Sequence, residues 1–180
     1  MRIISGKHKG RYLMAPKNLP VRPTKDMAKE ALFNILNNRY YFPDLRVLDL
    51  FSGTGNISFE FASRGVAQVT AVDMEAGCVS YIDKISNQLE LGIETIKSDV
   101  FLFLAKHTQQ YDIIFADPFY DMEETDFAKI SELVFANNML LDEGVLIIEH
   151  SKRTDLAQLP NFMESRKYGG SAFSFFSHNV

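Results

Sequence analysis

The chain has 180 residues, 46% hydrophobic and 23% charged, a composition typical of one globular domain large enough to bury a continuous core. No apolar run approaches the roughly 18–20 residues that a membrane-spanning helix needs. A single cysteine excludes an internal disulfide, and the four histidines lack zinc-ligand spacing. We therefore expect a cytoplasmic monomer without a structural metal.

The net charge of −4 conceals a strong asymmetry along the chain. Residues 1–25, here called the basic leader, carry seven lysines and arginines and no acid, whereas the rest of the chain holds 12 basic and 23 acidic groups. Such a leader favours contact with a nucleic acid, although a solvated basic face is the simpler alternative. The predicted contact residues are Arg2, Lys7, His8, Lys9, Arg11 and Arg22.

The leader begins with strand-like segments at 2–4 and 10–14, which predict a hairpin. Pro16, Pro20 and Pro23 then mark an extended connector, and Thr24 is placed to cap a helix over 25–38. From residue 46, apolar strands alternate with amphipathic helices. The predicted strands are 46–51, 68–73, 94–98, 111–117 and 145–150, and the predicted helices are 57–63, 76–91, 101–107 and 125–138.

This alternation predicts an α/β fold, a Rossmann-like doubly wound and mostly parallel sheet covered by helices on both faces. Strand-like segments at 162–168 and 172–177, joined by two glycines and a serine, predict a closing antiparallel hairpin. We divide the chain into an N-terminal extension over 1–24 and a main domain over 25–180.

Ligands of such sheets bind beyond the carboxyl ends of the strands. The first strand of the unit ends in a turn that contains Gly53 and Gly55, which allow a ligand to approach the backbone closely. Ser58 replaces the third glycine of a dinucleotide fingerprint, which weakens the case for a pyrophosphate cofactor.

Acids end the next two strands. Asp73 follows the glycine turn by about 20 residues, a spacing suited to an acceptor for a ribose diol. Asp99 is placed to accept hydrogen bonds from an adenine amino group, and Met74 to lie against the ring. Either acid alone is more often a helix cap, but the pair beside a glycine turn favours an adenosine pocket.

The most apolar run, 111–116, ends in Asp117-Pro118-Phe119-Tyr120. The Asp117 carboxylate and the Pro118 carbonyl are suited to accept both hydrogens of an amino group, and Tyr120 is suited to stack on the flat molecule that carries it. Phe119 would assist the stacking or face the core. The alternative is an ordinary Asp-Pro turn.

The run 48–55, Leu-Asp-Leu-Phe-Ser-Gly-Thr-Gly, resembles the cofactor motif of class I S-adenosylmethionine methyltransferases, and 117–120 resembles the (Asp/Asn)-Pro-Pro-(Tyr/Phe) motif of amino-methyltransferases. Phe119 departs from the usual proline and would leave Pro118 less restricted. The resemblance implies S-adenosylmethionine as the cofactor. It assigns to cofactor binding Asp49, Phe51, Ser52, Gly53, Thr54, Gly55, Asp73, Met74, Asp99 and Val100, and to catalysis Asp117, Pro118, Phe119 and Tyr120.

The segments 2–11, 22–24 and 29–36 are similar to those of RsmD-type 16S ribosomal RNA guanine-N2 methyltransferases, and the similarity extends to about residue 177. It implies methylation of a guanine amine in 16S rRNA within the small ribosomal subunit or an assembly intermediate. Two alternatives stay open: methylation of DNA adenine N6 or a glutamine amide, and a catalytically weak RNA-binding assembly factor.

Overall fold

A computed structural model describes residues 1–19, 26–119 and 122–178. In these ranges the strands are β1 Arg46–Leu50, β2 Gln68–Asp73, β3 Glu94–Lys97, β4 Tyr111–Ala116, β5 Leu140–Ser151, β6 Phe162–Tyr168 and β7 Ser171–Phe176. The helices are α1 Asp26–Asn37, α2 Asn56–Ser63, α3 Ala76–Leu89, α4 Val100–Leu104 and α5 Glu124–Ala136, with a short 3₁₀ turn at Phe42–Asp44.

The seven strands form one sheet in the order β3-β2-β1-β4-β5-β7-β6. Strands β1 to β5 are parallel, whereas β7 is antiparallel to both β5 and β6. The predicted α/β architecture and the closing hairpin are therefore confirmed. The order reverses between β1 and β4, so their carboxyl ends open a crevice at the sheet edge.

Alternate side chains of the central strands enter two separate cores, one on each face of the sheet. Helices α1, α2 and α3 cover one face, around Val47, Phe115 and Phe173. Helices α4 and α5 cover the other, around Leu48, Ile114 and Leu146. Burial on both faces explains why the central strands read as continuous apolar runs.

Several predicted boundaries need correction. Strand β5 begins at Leu140 and not at residue 145, because it bulges: Leu140 pairs with Tyr111, but the next pair is Val145 with Ile113. The intervening Asp-Glu-Gly resembles a turn in the sequence. Helix α4 is also shorter than predicted. The predicted cap Thr24 and the first residue of the predicted 25–38 helix lie outside the described residues.

The first part of the leader, residues 1–14, folds as a hairpin, and within the described part of the leader its β-pairing is one antiparallel bridge between Arg2 and Tyr12. Neighbouring backbone bonds extend the contact, including Ile3 N to Arg11 O at 2.9 Å. This hairpin covers the outer side of α2, and every residue of α2 is consequently buried. The division at residue 25 stays a prediction. Among the described residues, no helix is both long enough and apolar enough to cross a membrane.

Candidate active site

The loop after β1, residues 51–55, is the glycine loop that is predicted to bind the cofactor, and it is also called the cofactor loop below. Three of its residues have left-handed conformations: Phe51, Gly53 and Gly55 have φ angles of 56°, 52° and 79°. Glycine adopts such angles readily, but for Phe51 the conformation is strained and requires support from its surroundings. Ser52 N donates to Val72 O at 3.1 Å, and Gly55 N donates to Ser52 O at 2.8 Å. These bonds hold the predicted tight turn at the carboxyl edge of the sheet.

Gly55 also permits a close contact between the loop and α3. A Cβ atom at this position would lie only 2.8 Å from Ile82 Cγ1 and 3.0 Å from Phe59 Cε2. Any side chain there would have to displace packed core atoms.

Asp73 joins the glycine loop to the end of β2. Its Oδ2 accepts from Gly53 N at 2.7 Å, and its Oδ1 accepts from Glu75 N at 2.8 Å. Each carboxylate oxygen has a second lone pair, so these bonds leave capacity for a ribose hydroxyl. The adjacent Met74 is 57% exposed at this edge, a position compatible with contact to a flat ring.

Asp99 caps α4, the role that the sequence predicts as the alternative to adenine binding. Its Oδ1 accepts from Leu102 N at 3.0 Å. The following Val100 is buried. The cap holds the carboxylate at the carboxyl end of β3, two strands from the glycine loop. Capping and adenine binding are compatible, because a carboxylate accepts more than one hydrogen bond.

Asp49 lies below the loop and is fully buried. Its Oδ2 accepts from Ser58 N at 3.0 Å and from the Ser58 hydroxyl. Burial raises the pKa of Asp49 to about 7, although the Ser58 bonds oppose the shift. Ser58, noted in the sequence only as a missing glycine, thus attaches α2 to β1.

The four residues 117–120, here called the tetrad, directly follow β4 in the sequence. Asp117 is half-buried and donates its backbone N–H to Leu50 O at 3.4 Å, Pro118 is buried, and Phe119 is 55% exposed. The Phe119 ring contacts Phe51 edge-to-face, with centroids 6.3 Å apart. This contact links Phe119 to the loop after β1. Tyr120 lies outside the described residues.

A small cleft that is partly open to solvent adjoins Asp117, Pro118 and Phe119. Its walls come from the segment after β4, from α5, β5 and β7, and from the residues after β5: Asp117, Pro118, Phe119, Met122, Phe127, Glu149, His150, Ser151, Thr154 and Ser171. Ala116 of β4 pairs with Ile148 of β5. The residues that follow this pair, Asp117 and Glu149, therefore lie at the same level of two neighbouring segments. Two carboxylates therefore line one side of the cleft.

His150 lines the cleft. Burial lowers the pKa of its imidazole, which favours the neutral ring. The Ser151 carbonyl, 2.9 Å from Nδ1, can only accept, so Nδ1 carries the hydrogen. Nε2 is then the acceptor for the Ser174 hydroxyl at 2.7 Å. Both ring nitrogens are engaged within the protein.

The leader residues divide into two groups. Lys7, Lys9 and Arg11 are exposed. By contrast, Arg2 forms an ion pair with Asp26 at 3.6 Å, and the His8 ring bonds to Leu89 O at 3.1 Å. The predicted Arg22 lies outside the described residues. The exposed trio is thus the accessible basic surface of the hairpin.

Sequence reasoning missed Glu149 and His150 as cleft residues. The signal was present: both residues end an apolar run, the pattern that singled out Asp73 and Asp117. It was overlooked because the cleft also needs β7 and the segment after β5, whose proximity only the folded sheet reveals.

The chain is similar to several known proteins. It is 32% identical over 163 residues to the putative rRNA methyltransferase YlbH of Bacillus subtilis, a match covering 88% of this chain and 86% of the relative. It is 31% identical over 164 residues to ribosomal RNA small subunit methyltransferase D of Escherichia coli, covering 89% and 79%. The solved structure of the putative methyltransferase yhhF from Escherichia coli has a TM-score of 0.85 and 29% identity, covering 98% and 96%.

Together with the fold and the site, these similarities define a class I S-adenosylmethionine-dependent methyltransferase. A family model described as "Conserved hypothetical protein 95" matches residues 1–177. The chain belongs to this family, that of the RsmD-type ribosomal RNA methyltransferases. The predicted family and the predicted cofactor are therefore confirmed.

The residues of the loop fit S-adenosylmethionine. The Ser52 hydroxyl is buried and has no hydrogen-bond partner within the described ranges, as expected of a group that awaits a polar ligand. Burial raises the pKa of Asp49, and the cofactor carries sulfonium and ammonium charges that would offset the cost of ionising this acid. Among the described residues, no cluster of potential metal ligands is found.

Proposed function

We propose that the protein transfers a methyl group from S-adenosylmethionine to the exocyclic N2 amine of a guanine in 16S rRNA. The observation that carries the proposal is the cleft lined by Asp117, which follows β4, and Glu149, which lies near the end of the adjacent strand β5. Phe119 of the same cleft contacts Phe51 of the loop after β1. Membership of a ribosomal RNA methyltransferase family supports the RNA substrate.

The pair of carboxylates favours guanine over adenine. One edge of guanine presents N1–H and the N2 amine, which are adjacent donors, whereas adenine presents an acceptor at N1. Asp117 would hold the N2 amine, and Glu149 would accept from N1–H. A buried carboxylate facing the acceptor of adenine would instead leave two acceptors opposed, which is costly.

The chain's residues would prepare the amine for transfer. Asp117 and the Pro118 carbonyl would accept the two N–H hydrogens of the amine. These bonds would reduce conjugation of the nitrogen lone pair with the ring and direct the lone pair toward the methyl group of the cofactor. Asp117 would also accept the proton that the amine loses on methylation. When bound along Asp73 and the glycine loop, S-adenosylmethionine supplies the electrophilic methyl group.

Phe119, which replaces the usual motif proline, is the reason for considering a catalytically weak assembly factor as the alternative function. Its ring and that of Phe101 both pack edge-to-face on Phe51, at centroid distances of 6.3 and 6.4 Å. This aromatic row ties the tetrad to the cofactor loop, and it supports an active enzyme despite the absence of the second proline.

RNA would reach the cleft along the basic hairpin. Lys7, Lys9 and Arg11 project from a hairpin that is fixed to the body, so their charges can hold phosphates at a defined distance from the site. The target guanine has to be splayed out of its stack to enter the cleft. Such a substrate implies that the enzyme works among ribosomal subunits in the cytoplasm.

The test is incubation of the protein with tritiated S-adenosylmethionine and small ribosomal subunits from a strain that lacks this activity. We expect label in 16S rRNA that digests to N2-methylguanosine. Label in N6-methyladenine of DNA or in protein glutamine would overturn the proposal. Cofactor binding without any transfer would favour the assembly factor.

A further inference from the structure

A buried charge cluster lies outside the cleft, where the N-terminal hairpin meets α2. Its centre is Glu60, a carboxylate with 0% exposure. Two backbone N–H groups of the hairpin donate to it, Ile4 at 2.8 Å and Ser5 at 3.0 Å. Arg64 Nε donates to the same carboxylate at 2.8 Å.

Lys29 of α1 extends this cluster toward the cofactor loop. The lysine is 1% exposed, and its Nζ lies 3.5 Å from the Glu60 carboxylate. It donates to Arg2 O at 2.6 Å and to Asn56 Oδ1 at 2.8 Å. Asn56 is the first residue of α2 and directly follows Gly55 of the cofactor loop. One ammonium group therefore bonds to the hairpin and to the helix that the loop enters.

Stability alone is a poor explanation for this cluster. A buried ion pair often stabilises a fold no better than apolar residues of the same size, because desolvation offsets the attraction. A directional network instead fixes one arrangement of the elements it joins. Here the joined elements are the hairpin with its exposed basic trio and the start of α2 beside the cofactor loop.

We propose that Glu60 and Lys29 are positioning residues for RNA, holding the basic hairpin in a fixed position relative to the cofactor loop so that bound RNA presents its base at the cleft. This inference rests on the proposed function. With the cluster broken, the hairpin would need to be ordered on each binding event, and the entropy cost would reduce RNA affinity.

The test compares Glu60→Gln and Lys29→Met with the conservative Lys29→Arg. We expect the first two to raise KM for small subunits about tenfold while the Kd of S-adenosylmethionine stays within about twofold of wild type. Lys29→Arg retains the charge and donors and should recover most of the lost affinity. Amide hydrogen exchange at Ile4 and Ser5 should accelerate in the first two variants.

Asn137→Ala is the control for stability alone. Asn137 Nδ2 donates to Leu104 O at 2.7 Å on the opposite face of the sheet, so its loss should lower the unfolding temperature without changing KM for RNA. An unchanged KM in folded Glu60→Gln, or an equal rise in Asn137→Ala, would overturn the inference.

Ser63→Ala replaces Glu60→Gln if that variant does not fold. The Ser63 hydroxyl donates to Ser5 O at 2.7 Å and accepts from His8 N at 3.0 Å, so its removal loosens the same contact more mildly. If Ser63→Ala has the same KM for small subunits as wild type, the proposed role of the contact between the hairpin and α2 is refuted.

Neutralising Lys7, Lys9 and Arg11 separates the two proposals. If this change has no effect on RNA binding, the hairpin's role in the proposed function fails. If it weakens binding while the anchoring variants do not, only the present inference fails.

Discussion

Asp117 directly follows β4 and lines the cleft beside a buried proline. Because it would hold the amine only during transfer, Asp117→Ala should reduce kcat by at least about 100-fold and leave the cofactor Kd within about twofold. Single-turnover assays and calorimetry measure the two quantities. Asp112→Ala is a matched control: this acid lies at the opposite end of β4 and accepts from Arg46 N. Equal losses of transfer in both variants would contradict the assigned role.

Glu149 is expected to select guanine. In Glu149→Gln, an amide N–H can face the N1–H donor, so kcat/KM for small subunits should decrease by about 10–100-fold with cofactor affinity unchanged. Steady-state kinetics with purified subunits measures the decrease. Glu143→Gln changes the same residue type near the beginning of β5 and should be neutral. Undiminished turnover by Glu149→Gln would remove the argument for guanine from the cleft.

Asp49 should make the stability of the cofactor-free protein dependent on pH. Its pKa is about 7 in the folded protein, above the ordinary 3.8, so the folded state binds the proton more tightly than the unfolded chain. The stability from this group is full below about pH 4 and is lost as pH rises toward 7. Asp49→Asn stays neutral and keeps acceptors for Ser58. Relative to wild type, the unfolding free energy of Asp49→Asn should rise between about pH 4 and pH 7 and then level off. Parallel curves for the two proteins would refute this.

At the scale of elements, the junction between the cofactor loop and α3 depends on the absence of a side chain at Gly55. Gly55→Ala combines a left-handed φ of +79° with collision against Ile82, whereas Gly92→Ala has a φ of +65° and open space around its Cβ. Both changes should cost about 1–2 kcal/mol for the backbone conformation. Gly55→Ala should cost at least about 1 kcal/mol more and also weaken cofactor binding. Urea unfolding and calorimetry test this, and equal costs would contradict it.

The elements themselves were largely predictable, since a parallel sheet buried on both faces leaves a strong apolar pattern. Strand β2 was predicted with its observed bounds, and α2 within one residue. Strand β5 was predicted too short because the bulge before Val145 contains residues that favour turns. These residues stay within the strand because Leu140, before the bulge, pairs with Tyr111 of β4. This pairing joins residues far apart in the sequence, so a local pattern does not reveal it.

At the scale of the whole molecule, the charge asymmetry should determine how RNA binding responds to salt. Changing Lys7, Lys9 and Arg11 to Gln should lower affinity and reduce the slope of log K against log salt by roughly two units, at about 0.7 per phosphate contact in single strands. The matched control changes Arg46, Lys84 and Lys106, which are exposed elsewhere, and alters the net charge equally. Fluorescence anisotropy across a salt series compares them. Identical slopes in the two triple variants would show that net charge and not the hairpin governs binding.

The sequence by itself determined the α/β class, the glycine turn, the acids at successive strand ends and the basic leader. These features are local: apolar periodicity and turn residues act within a few positions of the chain. Only the tertiary structure decided which distant groups meet. It brought Glu149 beside Asp117, joined Ser58 to Asp49, and bound the hairpin to α2 through Glu60 and Lys29. Such contacts depend on sheet order and on burial, which arise when elements far apart in the chain pack together.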